Sequence, residues 1–340
     1  MTNSTFSGNS TSGFPVGLGG AIYNTDTGTL TITSSTFSAN SADGEGGTIL
    51  NEGRTTVTNS IVSGNHNAGI VNIGTLTVTD STFSGNRGSS GGAIYSGVEL
   101  TVTNSTFTAN RANQGGAIYS GDSGPLTVTN STFSGNSATA GGGAIYSNSN
   151  TVTVTNSIVA NSPSGGNCLG TITDGGHNLE DRATCGFRAV NGSLSDTNPR
   201  LDPAELQNNG GPTQTVALCT GVGVPAGCTG ASPAINAGDQ AVCAAAPVNN
   251  RDQRDFVRPG TGHTNCSIGA YEADVSPPQA CTGDCDGTGT VAVNDLITLA
   301  SIALGNANVS ACPHGIPSGT AVDISLIIQA VNNALSGCGG

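Results

Sequence analysis

Residues 91–110 read Gly-Gly-Ala-Ile-Tyr-Ser-Gly-Val-Glu-Leu-Thr-Val-Thr-Asn-Ser-Thr-Phe-Thr-Ala-Asn, and this run returns with small changes along the first half of the chain. Its Phe position recurs at Phe6, Phe37, Val62, Phe83, Phe107, Phe133 and Val159, with successive spacings of 31, 25, 21, 24, 26 and 26 residues. Self-similarity at a period of roughly 20–50 residues marks a solenoid or another stacked array. Each copy holds three β-prone runs: Ala93-Ile94-Tyr95, Leu100 to Thr103, and the run around Phe107. Leu100 and Val102 alternate with Thr101 and Thr103, the period-two signature of a strand with β-branched residues on its outer face. Gly- and Asn-rich turns separate the runs. The expected fold is all-β: a right-handed parallel β-helix with three strands per coil and about seven coils, rising roughly 4.8 Å per coil.

Composition agrees with an array. Charged residues are only 9% and hydrophobic residues 35% of the chain, too uncharged for disorder driven by repulsion and too apolar-poor for a compact enzyme core. A coil needs only a few inward apolar residues. The chain has no Lys and a net charge of −13, which excludes nucleic acid and anionic membrane surfaces as partners. All 10 Cys fall at or after Cys168, an even count that points to disulfides and an oxidising compartment. No apolar run reaches the length of a transmembrane helix. Met1 opens in the middle of a coil with no signal peptide, so the chain is expected to be an N-terminally truncated piece of a longer secreted protein.

Two polar positions recur with the period. One is Asn3, Ser34, Asn59, Asp80, Asn104, Asn130 and Asn156; the other is Asn9, Asn40, Asn65, Asn86, Asn110, Asn136 and Asn161. Both read as bend residues whose amides satisfy open backbone groups and bond to one another. Tyr23, Tyr95, Tyr119 and Tyr146 share one repeat position, and with Ile94 inward Tyr95 faces out. Tyr95, Tyr119 and Tyr146 then form either a stabilising stack or, more sharply, a glycan contact stripe. The stack is the better-supported reading. Acidic residues of the array (Asp26, Asp43, Glu45, Glu52, Asp80, Glu99, Asp122) do not recur at one repeat position, so no catalytic carboxylate cluster is implied, and Arg54, Arg87 and Arg111 read as scattered. His66, the single His of the coils, reads as a solvated turn residue.

The Gly-Gly-Ala-Ile and Phe-x-x-Asn motifs of residues 1–165 resemble the repeats of polymorphic outer-membrane proteins, surface β-helices of Gram-negative bacteria. The resemblance implies surface display and adhesion to a polysaccharide or cell-surface ligand, without enzymatic activity. A polysaccharide-degrading lyase or hydrolase on the same architecture is the alternative. Residues 166–275 carry Asn198-Pro199-Arg200-Leu201, Asn208 to Thr215, Ser232 to Asp239, Asp252-Gln253-Arg254 and Cys266 to Glu272 in order. This resembles the choice-of-anchor Q domain found after β-helix repeats. Such a segment should cover the last coil's open edge, with Asp239, Asp252, Arg254 and Glu272 as a buried ion-pair network. By proximity the expected Cys pairs are Cys168–Cys185, Cys219–Cys228 and Cys243–Cys266, although spacing alone does not fix connectivity.

After a linker at 275–279, residues 276–340 hold Gly-Asp-Cys-Asp-Gly-Thr-Gly-Thr from Gly283 and then Asp295. Counting Asp284 as position 1 puts oxygens at Asp284, Asp286, Thr288, the Thr290 carbonyl and Asp295, the spacing of an EF-hand-type calcium loop. A helix from Asn294 to Leu304 follows, then a second from Ala321 to Leu335 whose preceding loop lacks ligands, so one Ca2+ is expected. The pattern resembles dockerin-type modules, which implies a protein partner bound through the helices. Cys281, Cys285, Cys312 and Cys338 read as staples, with a zinc site at His314 the weaker alternative.

Overall fold

The repeats pair residue for residue. Leu76, Leu100 and Leu126 stack in register, as do Val78, Val102 and Val128, and likewise Phe83, Phe107 and Phe133. A computed structural model describes residues 1–12, 18–43, 46–121, 123–148, 151–273, 281–285, 291–316 and 321–336. The chain forms two compact units, Met1–Val275 and Ser276–Gly340. The first is an all-β parallel solenoid. An eight-stranded sheet carries the Phe runs from Thr5–Ser7 to Leu179–Glu180, and two seven-stranded sheets carry the other runs. One of these extends from Thr29–Thr33 to Ile172–Asp174 and the other from Ile22–Asn24 to Cys168–Leu169.

Alternation places Ile94, Leu100, Val102 and Phe107 inside, each 0–1% exposed, and the same holds coil after coil. Fully burying one such side chain stabilises by about 1.5–3 kcal/mol, so four per coil suffice for a chain with so few apolar residues. The Phe rings stack, at 4.9 Å between Phe83 and Phe107 and 4.7 Å between Phe107 and Phe133.

The motif fades after Asn161, but the sheets continue. Cys168 pairs with Ile145, Ile172 with Val152 and Leu179 with Ile158, adding one strand to every sheet. The solenoid therefore runs on to Glu180, beyond residue 165, because strand pairing needs backbone register and inward bulk rather than the repeat's own letters. Glu180 stands opposite Val159, at the inward Phe position, and is 0% exposed. Its carboxylate accepts the amides of Thr184, Cys185 and Phe187 at 2.9, 2.8 and 3.3 Å and the Ser195 hydroxyl at 2.9 Å. Those bonds tie the following segment across the open end. Cys168–Cys185 closes it, and Phe187 joins the solenoid core.

The rest of the cap takes a different course from the one expected. Rather than only covering the end, it folds back along the outer face of the Phe sheet. Thr82, Thr106 and Thr132 on that face are 0–1% exposed, whereas Thr5 in the first strand is exposed. The Ala270 amide donates to Thr132 Oγ1 at 3.0 Å, and Thr82 Oγ1 donates to the Gln214 carbonyl at 2.6 Å. The row of outward Thr residues, legible only as strand propensity, is a docking surface for the chain's own cap.

The second unit holds helices Val293–Ala303 and Ile324–Ser336. Its buried face is Asp295, Leu299 and Ile302 against Leu326 and Ala330, while Leu304 and Leu335 are 76% and 83% exposed. Leu296 and Ile327 pack at the edge of this buried face. Each helix touches a core shared with Cys281, Cys285 and Cys312 rather than the other helix alone.

Candidate functional site

The polar rows resolve into separate devices. Residues Asn9, Asn40, Asn65, Asn86, Asn110 and Asn136 form one continuous ladder. Each backbone amide and each side-chain amide donates to the next coil's Oδ1, at 2.9–3.1 and 2.8–3.1 Å. Asn161 lies outside this ladder. It falls one position early, at the left-handed bend (φ 58°) of Ala109 and Gly135, and the buried Ser162 takes the ladder place.

The other row, from Asn3 to Asn156, has φ of 45–50° throughout, which Asn and Asp tolerate. From Asn104 on, its side chains bond the cap, whereas Asn3 and Ser34 are exposed. The Asn104 side-chain amide donates to the Arg251 carbonyl at 3.0 Å, and Asn156 exchanges bonds with the Asp239 backbone at 2.9 and 3.0 Å. Asp80 stands in this row beneath the cap. Burial, helped by the Asp255 and Asp252 carboxylates and opposed by a hydrogen bond from Asn104, pushes its carboxyl up to about 7.

Sequence reading missed a further ladder. Ser35, Ser60, Ser81, Ser105, Ser131 and Ser157 are 0–2% exposed. Each hydroxyl receives the previous coil's Ser amide at 3.0–3.2 Å, up to Ser157. The same hydroxyls donate to the carbonyl two residues back at 2.7–2.9 Å. The signal was the invariant Ser two places before each Phe position.

In the cap, Arg254 bonds Asp252 at 2.6 Å between the faces of Phe256 (4.2 Å) and Tyr271 (3.7 Å). The Glu272 backbone joins this pair, its amide donating to Asp252 at 2.9 Å and its carbonyl accepting from Arg254 at 2.7 Å, while its carboxylate pairs with Arg258 at 3.4 Å, both side chains fully buried. Arg258 is the member the sequence reading missed. Burial holds its guanidinium below its ordinary value, and the carbonyls of Ser267 and Gly269 accept from it at 2.7 and 2.6 Å. Asp239 stands apart from this network. Its Oδ1 accepts the Ala241 amide at 2.8 Å and caps the short helix Gln240–Ala244. Cys219–Cys228 and Cys243–Cys266 are bonded as paired by proximity.

On the outer face, Tyr23, Leu50, Val71, Tyr95, Tyr119, Tyr146 and Leu169 form one register row. The rings of Tyr95, Tyr119 and Tyr146 stack at 5.3 and 5.2 Å and within 9° of parallel, so Tyr119 has a neighbouring ring on each face. Toward the coil of Val71, Tyr95 has no ring to stack on; it packs against Leu50, Ala68 and Val71 and is left half-buried. There, in the shortest coil of the array, a recess of about 310 Å³ is lined by Leu50, Ala68, Val71 and Tyr95, with Glu52, Asn67, Ile73, Ser89 and Ser90 around them. Tyr23 Oη donates to Glu52 Oε2 at 2.5 Å, which raises the Tyr23 phenol above its ordinary value. The basic residues of the array are not all scattered: His66, Arg87 and Arg111 are bridged partners on successive coils, all exposed.

In the second unit, Asp284 and Asp295 are 5% and 3% exposed. Asp295 Oδ1 accepts the Cys285 amide at 3.1 Å and Oδ2 the Ala292 amide at 2.8 Å, so the helix start is tied to the residue after Asp284. Asp286, Thr288 and Thr290 lie outside the described residues, as do the 275–279 linker and Cys338. Cys285 and Cys312 are bonded to each other, which leaves neither as a thiolate for zinc at His314.

The geometry defines a class: an all-β parallel solenoid built of stacked sheets and side-chain ladders. Within it, residues 3–25, 80–97, 104–121 and 130–148 match the model of the Chlamydia polymorphic membrane protein repeat, a family of outer-membrane and surface-associated proteins. No curated protein and no solved structure matches the chain. Among the described residues no helix is long and apolar enough to cross a membrane.

Proposed function

We propose that the protein is a non-enzymatic, secreted or surface-exposed scaffold that presents its outer face to a saccharide or cell-surface ligand, and that its C-terminal unit is a calcium module for attachment. The observation that carries this reading is the accounting of polar groups. The Asn ladder, the Ser ladder, Glu180, Asp252 and Glu272 are each engaged by backbone or by Arg, as structural elements are. The middle segment fits a choice-of-anchor Q role in that it fastens the solenoid's end and flank.

For calcium, the support is the donor set. Asp284 and Asp295 are buried carboxylates on either side of the loop, and hard oxygen donors suit Ca2+. Asp286, Thr288 and the Thr290 carbonyl complete the set by spacing. Val293, Ile297, Ile324 and Ile328 are 55–72% exposed on the two helices and suit a protein partner there.

Calorimetry of the full chain with and without Ca2+ tests the module. A transition that rises with Ca2+, and stops rising in Asp286→Ala, supports the reading. Equal profiles for wild type with and without Ca2+ refute it.

A further inference from the structure

Two features meet at one corner of the solenoid. The first is the recess below Tyr95. The outward row is aromatic at Tyr95, Tyr119 and Tyr146 but drops to Val71 and Leu50 beneath them, so the lower face of the Tyr95 ring has no ring to stack on. The result is a cavity of about 310 Å³ with an apolar floor and a rim of amide and hydroxyl groups. That size is the low end for small-molecule pockets, about right for one sugar ring. Tyr95 packs on Leu50, Ala68 and Val71 but still lines the recess, and an aromatic ring beside polar groups suits the apolar face and hydroxyl edge of a pyranose.

The second feature is the cationic column. Arg87 and Arg111 are bridged neighbours, and like charges directly opposite across strands are destabilising. Among the described residues neither makes an ion pair, in a chain of net charge −13 that carries only 9 basic residues. Rim residue Ser89 lies two positions after Arg87, and rim residue Asn67 directly follows His66. An anion held beside the recess would relieve the repulsion. Glu52 also lines the recess; its Oε2 accepts the Tyr23 hydroxyl, and its carboxylate has further acceptor capacity for sugar hydroxyls.

We propose that the recess under Tyr95 and the Arg87–Arg111 column together bind one carboxylate-bearing pyranose unit, with the ring against Tyr95 and the carboxylate on the guanidinium groups. Planar guanidinium forks suit a carboxylate. The site deepens the presentation reading above. It rests only on this face being accessible, and calcium binding by the C-terminal unit is a separate question with a separate readout.

The test is binding of the purified full chain to immobilised galacturonosides, glucuronosides and sialosides, each beside its neutral counterpart. At least one acidic probe should bind tenfold or more tightly than its neutral partner, and binding should weaken as salt rises. Arg87→Gln/Arg111→Gln, altered only at exposed positions, should lose at least tenfold. Tyr95→Ala should lose as much, Tyr95→Phe should stay within threefold, and Tyr119→Ala should retain binding. The proposal is overturned by binding of none of these probes, by equal binding of acidic and neutral partners, or by full retention in the double Arg variant.

Discussion

The Thr106 hydroxyl donates to Gln253 Oε1 at 2.6 Å across 147 residues of chain, and this bond marks where the cap grips the solenoid's flank. The Gln253 side-chain amide completes the grip by donating to Thr82 Oγ1 and Thr213 Oγ1, both at 2.9 Å. All four side chains are buried. Replacing Gln253 with Leu keeps the bulk, removes the acceptor of the Thr106 hydroxyl, and leaves Thr82 and Thr213 only their bonds to the Gln214 and Asp80 carbonyls. The expected cost is about 2–4 kcal/mol, since each orphaned buried polar group costs about 1–3. Chemical denaturation should show it, together with faster proteolysis within 213–260 than within the coils.

Asp80 gives the fold a pH dependence. The folded chain holds the Asp80 proton more tightly than the unfolded chain, with a carboxyl at about 7 against an ordinary 3.8. Its contribution to stability is therefore complete below the unfolded value and lost as pH rises through about 7. Asn, the residue at Asn59 and Asn104 in the same row, carries no such charge. Asp80→Asn should stabilise the chain by roughly 2–4 kcal/mol at pH 8 and by little at pH 4. Melting curves at the two pH values check this.

The Asn ladder predicts a positional cost. Asn110 accepts two bonds from Asn86 at 3.0 Å and donates to Phe83 O and Asn136 Oδ1 at 3.0 and 2.9 Å. Asn110→Ala should cost about 2–4 kcal/mol because its buried partners lose their bonds. Asn9, exposed at the ladder's first rung, should cost under about 1 kcal/mol on the same change. Denaturation of the two variants side by side compares them.

Glu180 predicts how the end is sealed. Glu180→Ala removes the acceptor of three amides and the Ser195 hydroxyl, and should cost at least about 3 kcal/mol. Hydrogen exchange at Thr184, Cys185 and Phe187 should accelerate first, ahead of the central coils.

Much of the solenoid was legible because its devices repeat. Period, alternation and the Phe and Asn columns each state a strand, a face or a bend many times over. The end was not legible, because Glu180 at an inward Phe position looks wrong until the amides of 184–187 are seen to meet it. The flank docking was hidden for a related reason. Thr82, Thr106 and Thr132 read identically to solvated Thr, and only the returning chain distinguishes them. The Arg87–Arg111 neighbours were legible but missed: each directly follows a ladder Asn, four residues after Phe83 or Phe107, and the position is hidden only because other coils place uncharged residues there.

The most direct test of a presenting scaffold, as opposed to a lyase or hydrolase, is to incubate the full chain with polygalacturonate and Ca2+. Unsaturated product is followed by ultraviolet absorbance and new chain ends by a reducing-sugar assay. The account predicts that the polymer is retained and neither signal rises above a heat-inactivated control. Sustained turnover in either channel would contradict it.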